Sequence, residues 1–193
     1  VIAITVHGET FAQPILRSGA QIGDRVAVAG TLGQAAAGYA LKAADATPDP
    51  DSAEDHLINR FRRPVPPLSA GVAAAAGGAS AMMDISDGLL RDAARLAGSS
   101  EVSIDFSSPA FEADVEAVTT AQETLELDEG AALSWVLTGG EDHGLLATFP
   151  EDAEIPEEFR VVGQVLEQGE LPVLVDGAPP AVEDSSWDHF DKR

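Results

Sequence analysis

The sequence predicts an α/β fold, a layered sandwich of helices packed on a sheet. Short apolar runs with strand character alternate along the 193 residues with amphipathic or alanine-rich runs of helical spacing. This alternation is typical of a layered α/β domain. Two further apolar runs surround Gly169, and they predict a β-hairpin near the end of the chain. The length suits one large domain, or one domain with a fragment of another.

The N-terminal part contains two predicted strands and three predicted helices. The strands are expected at residues 1–6 and 25–29, and the helices at residues 34–46, 52–61 and 69–77. The glycine-rich turn at 30–33 lacks the residue spacing of the known phosphate-binding loops, so we expect it to serve helix packing. A proline-rich segment stops the second helix.

A strand followed at once by a helix forms the centre of the sequence. Residues 80–85 predict a buried strand, and an amphipathic helix is expected over 89–98. The turn between them carries Asp84, Ser86 and Asp87. Ser86 or Asp87 is expected to cap the helix, because its side-chain oxygen can accept hydrogen bonds from the first amides.

Two carboxylates beside exposed helix amides indicate a metal–phosphate site. The amides and the helix dipole attract an anion. Asp84 and Asp87 repel that anion unless a hard cation lies between them, and Mg²⁺ commonly combines one or two carboxylates with phosphate oxygens. On these residues alone, the alternative that both aspartates merely cap and solubilise the helix stays open.

The C-terminal part contains four predicted strands and two predicted helices. The strands are expected at residues 101–106, 143–149, 159–166 and 171–175, and the helices at residues 111–122 and 130–135. The last two strands would form the hairpin around Gly169. A second turn with paired carboxylates, Thr138-Gly139-Gly140-Glu141-Asp142, precedes the strand at 143–149.

The charge and composition exclude several classes of function. A net charge of −22 opposes binding to nucleic acids and anionic membranes, which need a basic surface. With only 11 Lys and Arg, an anionic substrate has to be held by metal ions, backbone amides and one or two arginines. The absence of cysteine excludes disulfides and zinc–thiolate sites and fits a reducing cytoplasm. We find neither a membrane-spanning run nor a signal peptide in these residues.

Four short motifs follow one another in a specific order. They are Arg17-Ser18-Gly19-Ala20 with Gly23-Asp24 and Gly30-Thr31-Leu32-Gly33, then Met83-Asp84-Ile85-Ser86-Asp87-Gly88-Leu89, then Thr138-Gly139-Gly140-Glu141-Asp142, and finally Trp187-Asp188-His189-Phe190. In this order and spacing the sequence resembles the thiamine-monophosphate kinases, of the aminoimidazole-ribonucleotide-synthetase-like superfamily. The resemblance covers nearly the whole chain.

The resemblance implies a fold and a domain organisation. In this family an N-terminal domain carries most of the nucleotide site, several metal-binding aspartates and the dimer interface. The C-terminal domain is PurM-like, an α/β sandwich with a mixed sheet and partly ferredoxin-like topology. Residues 1–8 would then be the last strand of a missing N-terminal nucleotide-binding domain, and residues 9–193 the C-terminal domain. The intact enzyme is expected to be a cytoplasmic homodimer.

The resemblance also implies metal and nucleotide contacts. Asp84 and Asp87 would bind Mg²⁺, of which several ions are expected, and Ser86 and Arg17 would contact ATP. A guanidinium matches phosphate geometry, which agrees with that role for Arg17. An alternative for Arg17 is a loop ion pair with Asp24 or another acidic neighbour.

Two further residues would bind thiamine monophosphate. Glu141 could accept hydrogen bonds from the aminopyrimidine, and Trp187 could stack on the thiamine rings. A C-terminal aromatic plug on the core is the alternative for Trp187. The family's usual Glu-Asp-Tyr-Glu-Leu here ends in His143-Gly144-Leu145, so one carboxylate and one aromatic are lost. His143 is interpreted as structural rather than as a general base.

The implied reaction transfers the γ-phosphate of ATP to thiamine monophosphate and yields thiamine diphosphate. The attacking phosphate oxygen is already ionised near neutral pH, so no catalytic base is required. One alternative is another ATP-using synthetase of the superfamily, and a second is a non-catalytic acidic binding module. Without the nucleotide-binding domain, the chain alone is expected to be inactive.

Overall fold

A six-stranded mixed sheet organises the chain in the structure, a computed structural model that describes residues 3–9 and 13–182. The strands are β1 (Arg25–Ala29), β2 (Ala81–Ile85), β3 (Val102–Phe106), β4 (Gly144–Phe149), β5 (Phe159–Glu167) and β6 (Val173–Val175). Their spatial order is β2-β4-β1-β5-β3-β6. Only β3 and β6 pair in parallel among these strands, and the other neighbours are antiparallel. The predicted mixed sheet is therefore confirmed.

Six α-helices connect these strands in the described ranges. They are α1 (Gln34–Ala43), α2 (Ala53–Arg62), α3 (Leu68–Ala76), α4 (Leu89–Ser100), α5 (Glu112–Thr124) and α6 (Ala131–Thr138), and a short 3₁₀ turn (Ser108–Phe111) precedes α5. Every strand and helix predicted from β1 onwards is present, with its ends within three residues of the expected ones. Ser52 caps α2, because its hydroxyl accepts a hydrogen bond from the amide of Asp55.

The helices cover both faces of the sheet, so the predicted layered sandwich is confirmed. Side chains alternate along β1. Val26 and Val28 belong to the larger core, to which α1, α2, α4, α5 and α6 contribute. Ala27 and Ala29 belong to a smaller core, which α3 covers.

The predicted terminal hairpin is wrong, because β3 lies between β5 and β6. The hydroxyl of Ser103 in β3 donates to the carbonyl oxygen of Leu171 at 2.7 Å and accepts from the amide of Gly169 at 3.0 Å. These two hydrogen bonds fasten the β5–β6 connection across the end of β3. The local sequence predicts that the chain reverses direction between β5 and β6. It does not predict that β3, which is distant in sequence, lies between these two strands.

Residues 3–9 are exposed and lie in neither a helix nor a strand. The strand expected over residues 1–6 does not form in its described part, residues 3–6, which take no place in the sheet. The assignment of residues 1–8 to a further domain stays a prediction. No helix within 3–9 or 13–182 is both long and apolar enough to cross a membrane.

Candidate functional site

Two glycine-containing turns meet at one end of the sheet. The first joins β2 to α4, and the second joins α6 to β4. The amide of Glu141 donates to the carbonyl oxygen of Ser86 at 2.9 Å. A Cβ on Gly140 would lie 2.5 Å from the oxygen of Ser86, and one on Gly88 would lie 2.4 Å from the oxygen of Thr138. Glycine is therefore needed for the two backbones to approach so closely.

A cleft of about 720 Å³ opens beside these turns. Three predicted site residues line it, namely Ser86, Asp87 and Glu141. They come from motifs more than 50 residues apart in the sequence, and the contact between the two turns brings them together. The structure thus places two carboxylates and a hydroxyl around one concave surface.

Aromatic side chains form another part of the cleft lining. They are Tyr39 on α1, Phe61 on α2 and Trp135 on α6. The rings of Tyr39 and Phe61 are tilted against each other, with centroids 5.3 Å apart. An aromatic surface beside carboxylates can hold a flat cationic ring, because the ring face attracts the cation while the acids neutralise it.

The N-terminus of α4 already holds a carboxylate of the chain. One oxygen of Asp92, which is fully buried, accepts hydrogen bonds from the amides of Ser86 and Asp87 at 2.9 Å each. The N-cap residue is Gly88, and no side chain caps the helix. The prediction that Ser86 or Asp87 is the cap is therefore wrong. These two amides, expected to attract a phosphate, are occupied because Asp92 folds back onto them.

Arg95 joins this buried acid to the cleft. One guanidinium nitrogen of Arg95 lies 2.6 Å from carboxylate oxygens of both Asp87 and Asp92. Burial raises the pKa of Asp92, although the amide of Asp87 and the guanidinium of Arg95 oppose the rise. Hydrogen bonding to Asp87 raises the pKa of Arg95. The carboxylate of Asp87 is thus fixed at the cleft by a permanent cation.

The two acids of the second turn have opposite surroundings. Glu141 is exposed, whereas Asp142 is 5% exposed and accepts hydrogen bonds from the hydroxyl of Thr31 at 2.9 Å and the amide of Ala35 at 3.3 Å. Burial raises the pKa of Asp142 from 3.8 to about 6, against the hydrogen bond from Thr31 and the amides at the start of α1. Asp142 therefore anchors α1, whereas Glu141 stays exposed at the cleft.

The backbone around Glu141 is held in an unusual conformation. Glu141 and His143 have left-handed φ angles of 71° and 54°. Such angles cost a non-glycine residue about 1–2 kcal/mol and cluster at ligand sites. His143 lies just before β4, and its Nε2 is 3.6 Å from a carboxylate oxygen of Glu141. Among the described residues, His143 thus contacts Glu141, which lines the cleft.

Asp84 is exposed and does not line the cleft. Along β2 it shares a sheet face with Met82, which packs on the smaller core, whereas Ile85 faces the larger one. The carboxylate of Asp84 has no hydrogen bond or ion pair with any residue that the structure describes. Its side chain is therefore available to a ligand at the end of the strand.

Arg17 lies far from the turn that carries Asp87, near the start of β2 and the end of α4. The hydroxyl of Ser100, at the C-terminus of α4, donates to the carbonyl oxygen of Arg17 at 3.0 Å. A helix of 12 residues is about 18 Å long, so the Arg17 backbone is far from Asp87. The alternative pairing of Arg17 with Asp24 is wrong, because the carboxylate of Asp24 accepts from the hydroxyl of Ser80 instead.

A comparison with known families identifies the domain. The sequence model of the family described as "AIR synthase related protein, C-terminal domain" matches residues 21–176. The chain belongs to this family.

Relatives of this AIR synthase related domain include thiamine-monophosphate kinases. That of Mycobacterium tuberculosis is 44% identical over 178 residues, which are 92% of this chain and 50% of the relative. That of Corynebacterium glutamicum is 38% identical over 196 residues, 98% of this chain and 56% of the relative. The chain therefore spans about half the length of these curated relatives.

Solved structures agree with the fold of the domain. A complex described as AaThiL with AMPPCP and TMP has 34% sequence identity and a TM-score of 0.76, and the match covers 91% of this chain and 54% of that one. A thiamine monophosphate kinase structure from Aquifex aeolicus has 34% identity and a TM-score of 0.72, covering 85% of this chain and 53% of that one. The expected fold of the C-terminal domain is thus confirmed.

The acids of this AIR synthase related domain fit a shared metal ion rather than a self-contained metal centre. No group of three or more acidic, histidine or cysteine side chains arranged to hold a metal occurs among residues 3–9 and 13–182. Asp84 and Asp87 do supply two carboxylates close in sequence. Mg²⁺ is commonly held by one or two carboxylates with phosphate oxygens and water as the remaining ligands. An Mg²⁺ ion held by these two acids would therefore need phosphate oxygens and water as its remaining ligands.

Some residues of the site escaped the sequence-based prediction. Asp92 and Arg95 follow the first motif at helical spacing, but nothing local shows that they fold back toward it. Tyr39 and Trp135 could have been noticed because the chain has one tyrosine and two tryptophans. The other tryptophan, Trp187, lies outside the described residues, so its predicted role stays a prediction.

Proposed function

We propose that this chain is the C-terminal part of a kinase that transfers the γ-phosphate of ATP to thiamine monophosphate. The products are ADP and thiamine diphosphate. The observation that carries the proposal is the cleft in which Ser86, Asp87 and Glu141 meet three aromatic side chains. Similarity to thiamine-monophosphate kinases supports it, as does a similar structure in complex with AMPPCP and TMP.

Asp84 and Asp87 would hold Mg²⁺ together with phosphate oxygens of the ligands. The bound ion would screen two polyanions from each other and stabilise the charge of the transferring group. Arg95 fixes the carboxylate of Asp87 beside the cleft before any ligand arrives. Because this carboxylate is already placed, little ordering of the side chain opposes metal binding.

Glu141 and the aromatic residues would bind thiamine monophosphate. The thiazolium ring is a cation, and it is attracted to the face of an aromatic ring such as that of Trp135 or Tyr39. Glu141 is exposed at the cleft and could accept hydrogen bonds from the aminopyrimidine. Trp187 would add a second stacking surface.

The reaction would need no general base from this chain. The second pKa of a phosphate monoester is about 6, so the attacking oxygen is ionised at neutral pH. Catalysis then depends on holding the two phosphates in line and neutralising their charge. His143, the histidine next to the cleft, lies 3.6 Å from Glu141. Because the attacking phosphate is already ionised, it offers His143 no proton to remove.

ATP would lie along the edge strand β2. Ser86 and Arg17 are near opposite ends of this strand, about 15 Å apart along five residues. One ATP molecule that contacts both has to extend along β2. The guanidinium of Arg17 is exposed and has no ion pair with a described residue, so it is available for this contact.

The other half of the enzyme would supply the rest of the nucleotide site. The curated relatives are about twice as long as this chain. We propose that an N-terminal domain adds further acidic metal ligands and that it forms the dimer of the intact cytoplasmic enzyme. The two carboxylates of this chain would then complete a larger magnesium site.

Calorimetric titration of the intact enzyme, with and without Asp87→Asn, tests the proposal. We expect the substitution to weaken Mg²⁺–ATP binding at least about tenfold, because a metal ligand is lost. Asp152→Asn is the matched control, since Asp152 is exposed and lies outside the cleft. Unchanged Mg²⁺–ATP binding by a folded Asp87→Asn enzyme would contradict the metal role.

The same preparation separates the proposed kinase from its alternatives. Thiamine monophosphate should release ADP from ATP only in the presence of Mg²⁺. An intact enzyme that binds Mg²⁺–ATP but does not phosphorylate thiamine monophosphate would be another synthetase of the superfamily. An intact protein that binds neither ligand would be a non-catalytic module.

A further inference from the structure

A second cavity, of about 650 Å³, lies beside α2 and shares no lining residue with the cleft. Its polar lining residues are Gln34, His56, Asn59, Arg60 and Arg63. His56, Arg60 and Arg63 are spaced i, i+4 and i+7, so they follow one face of α2 up to its C-cap. No aspartate or glutamate lines this cavity.

Neither arginine of this cavity forms an ion pair with a described residue, although Arg60 lies near enough to the buried Asp142 to lower the pKa of that acid. The chain has 33 acidic and 11 basic residues, so acidic partners are abundant. Arg95 and Arg160 each form ion pairs with aspartates. In contrast, the guanidinium groups of Arg60 and Arg63 make no ion pair or hydrogen bond with any residue in the described ranges. Two such groups beside one concavity attract an anion.

The helix dipole does not explain this arrangement. It favours cations in the last turn of α2 and accounts for Arg60 and Arg62 alike. However, Arg62 does not line the cavity, whereas Arg60 and Arg63 both do. The dipole therefore explains the charge of this turn but not why two of its three arginines surround a concave surface without acids.

We propose that this cavity binds a phosphate-bearing anion. The forked donors of Arg60 and Arg63 match the several oxygens of a phosphate group, and His56 can add a third donor. Gln34 and Asn59 contribute neutral amide donors. This site differs from the proposed magnesium site, because its own cations balance the anion and no metal ion is needed.

Titration of inorganic pyrophosphate into the purified chain in the presence of EDTA tests the proposal. We expect binding that weakens with added NaCl, and a loss of at least about tenfold in Arg63→Gln. Arg62→Gln is the matched control: it removes the same charge one residue away and should change binding by less than about twofold. EDTA removes Mg²⁺, so the result does not depend on the proposed kinase site.

Arg60→Gln is a second variant of the cavity, but it carries a risk of destabilising the fold that Arg63→Gln does not. Arg60 lies near enough to Asp142 to lower the pKa of that acid, so its loss could disturb the fold. Arg63 is exposed, and its variant should keep the thermal unfolding temperature of the unmodified chain.

Three results would overturn the anion site. One is the absence of pyrophosphate binding by the folded chain. Another is an equal loss in Arg62→Gln and Arg63→Gln, which would show a diffuse charge effect. The third is binding of citrate as tight as that of pyrophosphate, which would show that the cavity does not select phosphate.

Discussion

At the scale of single residues, the candidate site contains two kinds of carboxylate. Asp92 and Asp142 point inward and accept hydrogen bonds from backbone amides at the starts of helices. Asp87 and Glu141 line the cleft. Because the inward acids satisfy the amides, Glu141 and the carboxylate oxygen of Asp87 that is not bonded to Arg95 remain available at the cleft. The sequence shows which turns are acidic. Burial in the fold decides which acids bind backbone amides and which acids line the cleft.

Asp142 should make the stability of the chain depend on pH. Its pKa is raised on folding from 3.8 to about 6, so the folded state binds the proton more tightly. The free energy of unfolding should therefore fall as the pH rises through this range, by up to about 3 kcal/mol. We expect Asp142→Asn to remove this loss, and urea unfolding at pH 4 and pH 7 would measure the difference.

The exposed acid Asp152 provides the control for this measurement. Asp152→Asn makes the same chemical change without altering a buried group, so its stability should follow that of the unmodified chain at both pH values. If the difference in stability between Asp142→Asn and the unmodified chain is the same at pH 4 and pH 7, the raised pKa of Asp142 is contradicted.

At the scale of secondary-structure elements, the contact between the two turns should limit what residue 140 can be. A Cβ on Gly140 would lie 2.5 Å from the carbonyl oxygen of Ser86. Gly140→Ala should therefore push the turns apart and destabilise the chain by about 1–3 kcal/mol. Chemical denaturation would measure this loss, and separation of Asp87 from Glu141 should weaken ligand binding at the cleft.

Gly98 offers the opposite case on α4. A Cβ there would meet nothing within 4 Å, so Gly98→Ala should stabilise the chain by about 1 kcal/mol through helix propensity. If Gly98→Ala and Gly140→Ala change stability in the same direction, the close approach of the turns does not control this site.

The sequence predicts elements well where their signal is local. Hydrophobic periodicity is carried by neighbouring residues, and the strands and helices from β1 onwards are confirmed. Strand pairing is not local, which is why β3 could enter between β5 and β6. The cap of α4 was missed for a similar reason: Asp92, inside the helix, occupies the amides instead of Ser86 or Asp87.

At the scale of the whole molecule, the fold gathers only part of the predicted site in the cleft, and two of the predicted residues lie outside it. Ser86, Asp87 and Glu141 come together. Asp84 and Arg17 lie at two ends of β2, outside the cleft lining. A sequence motif shows which residue types are present, but not how far apart the fold places them. These two exposed side chains are where ligands or a second domain would have to extend the site.

If a further domain completes the site, as proposed, the chain on its own should lack kinase activity. Two carboxylates hold too few Mg²⁺ ions to neutralise two polyanions, and no larger group of metal ligands occurs in the part of the chain that the structure describes. We expect the purified chain, given ATP, Mg²⁺ and thiamine monophosphate, to release no ADP above the protein-free rate, while the intact enzyme does so readily. A coupled ADP assay would measure both. ADP release by the purified chain that Asp84→Ala abolishes would show instead that this chain by itself holds a complete catalytic site.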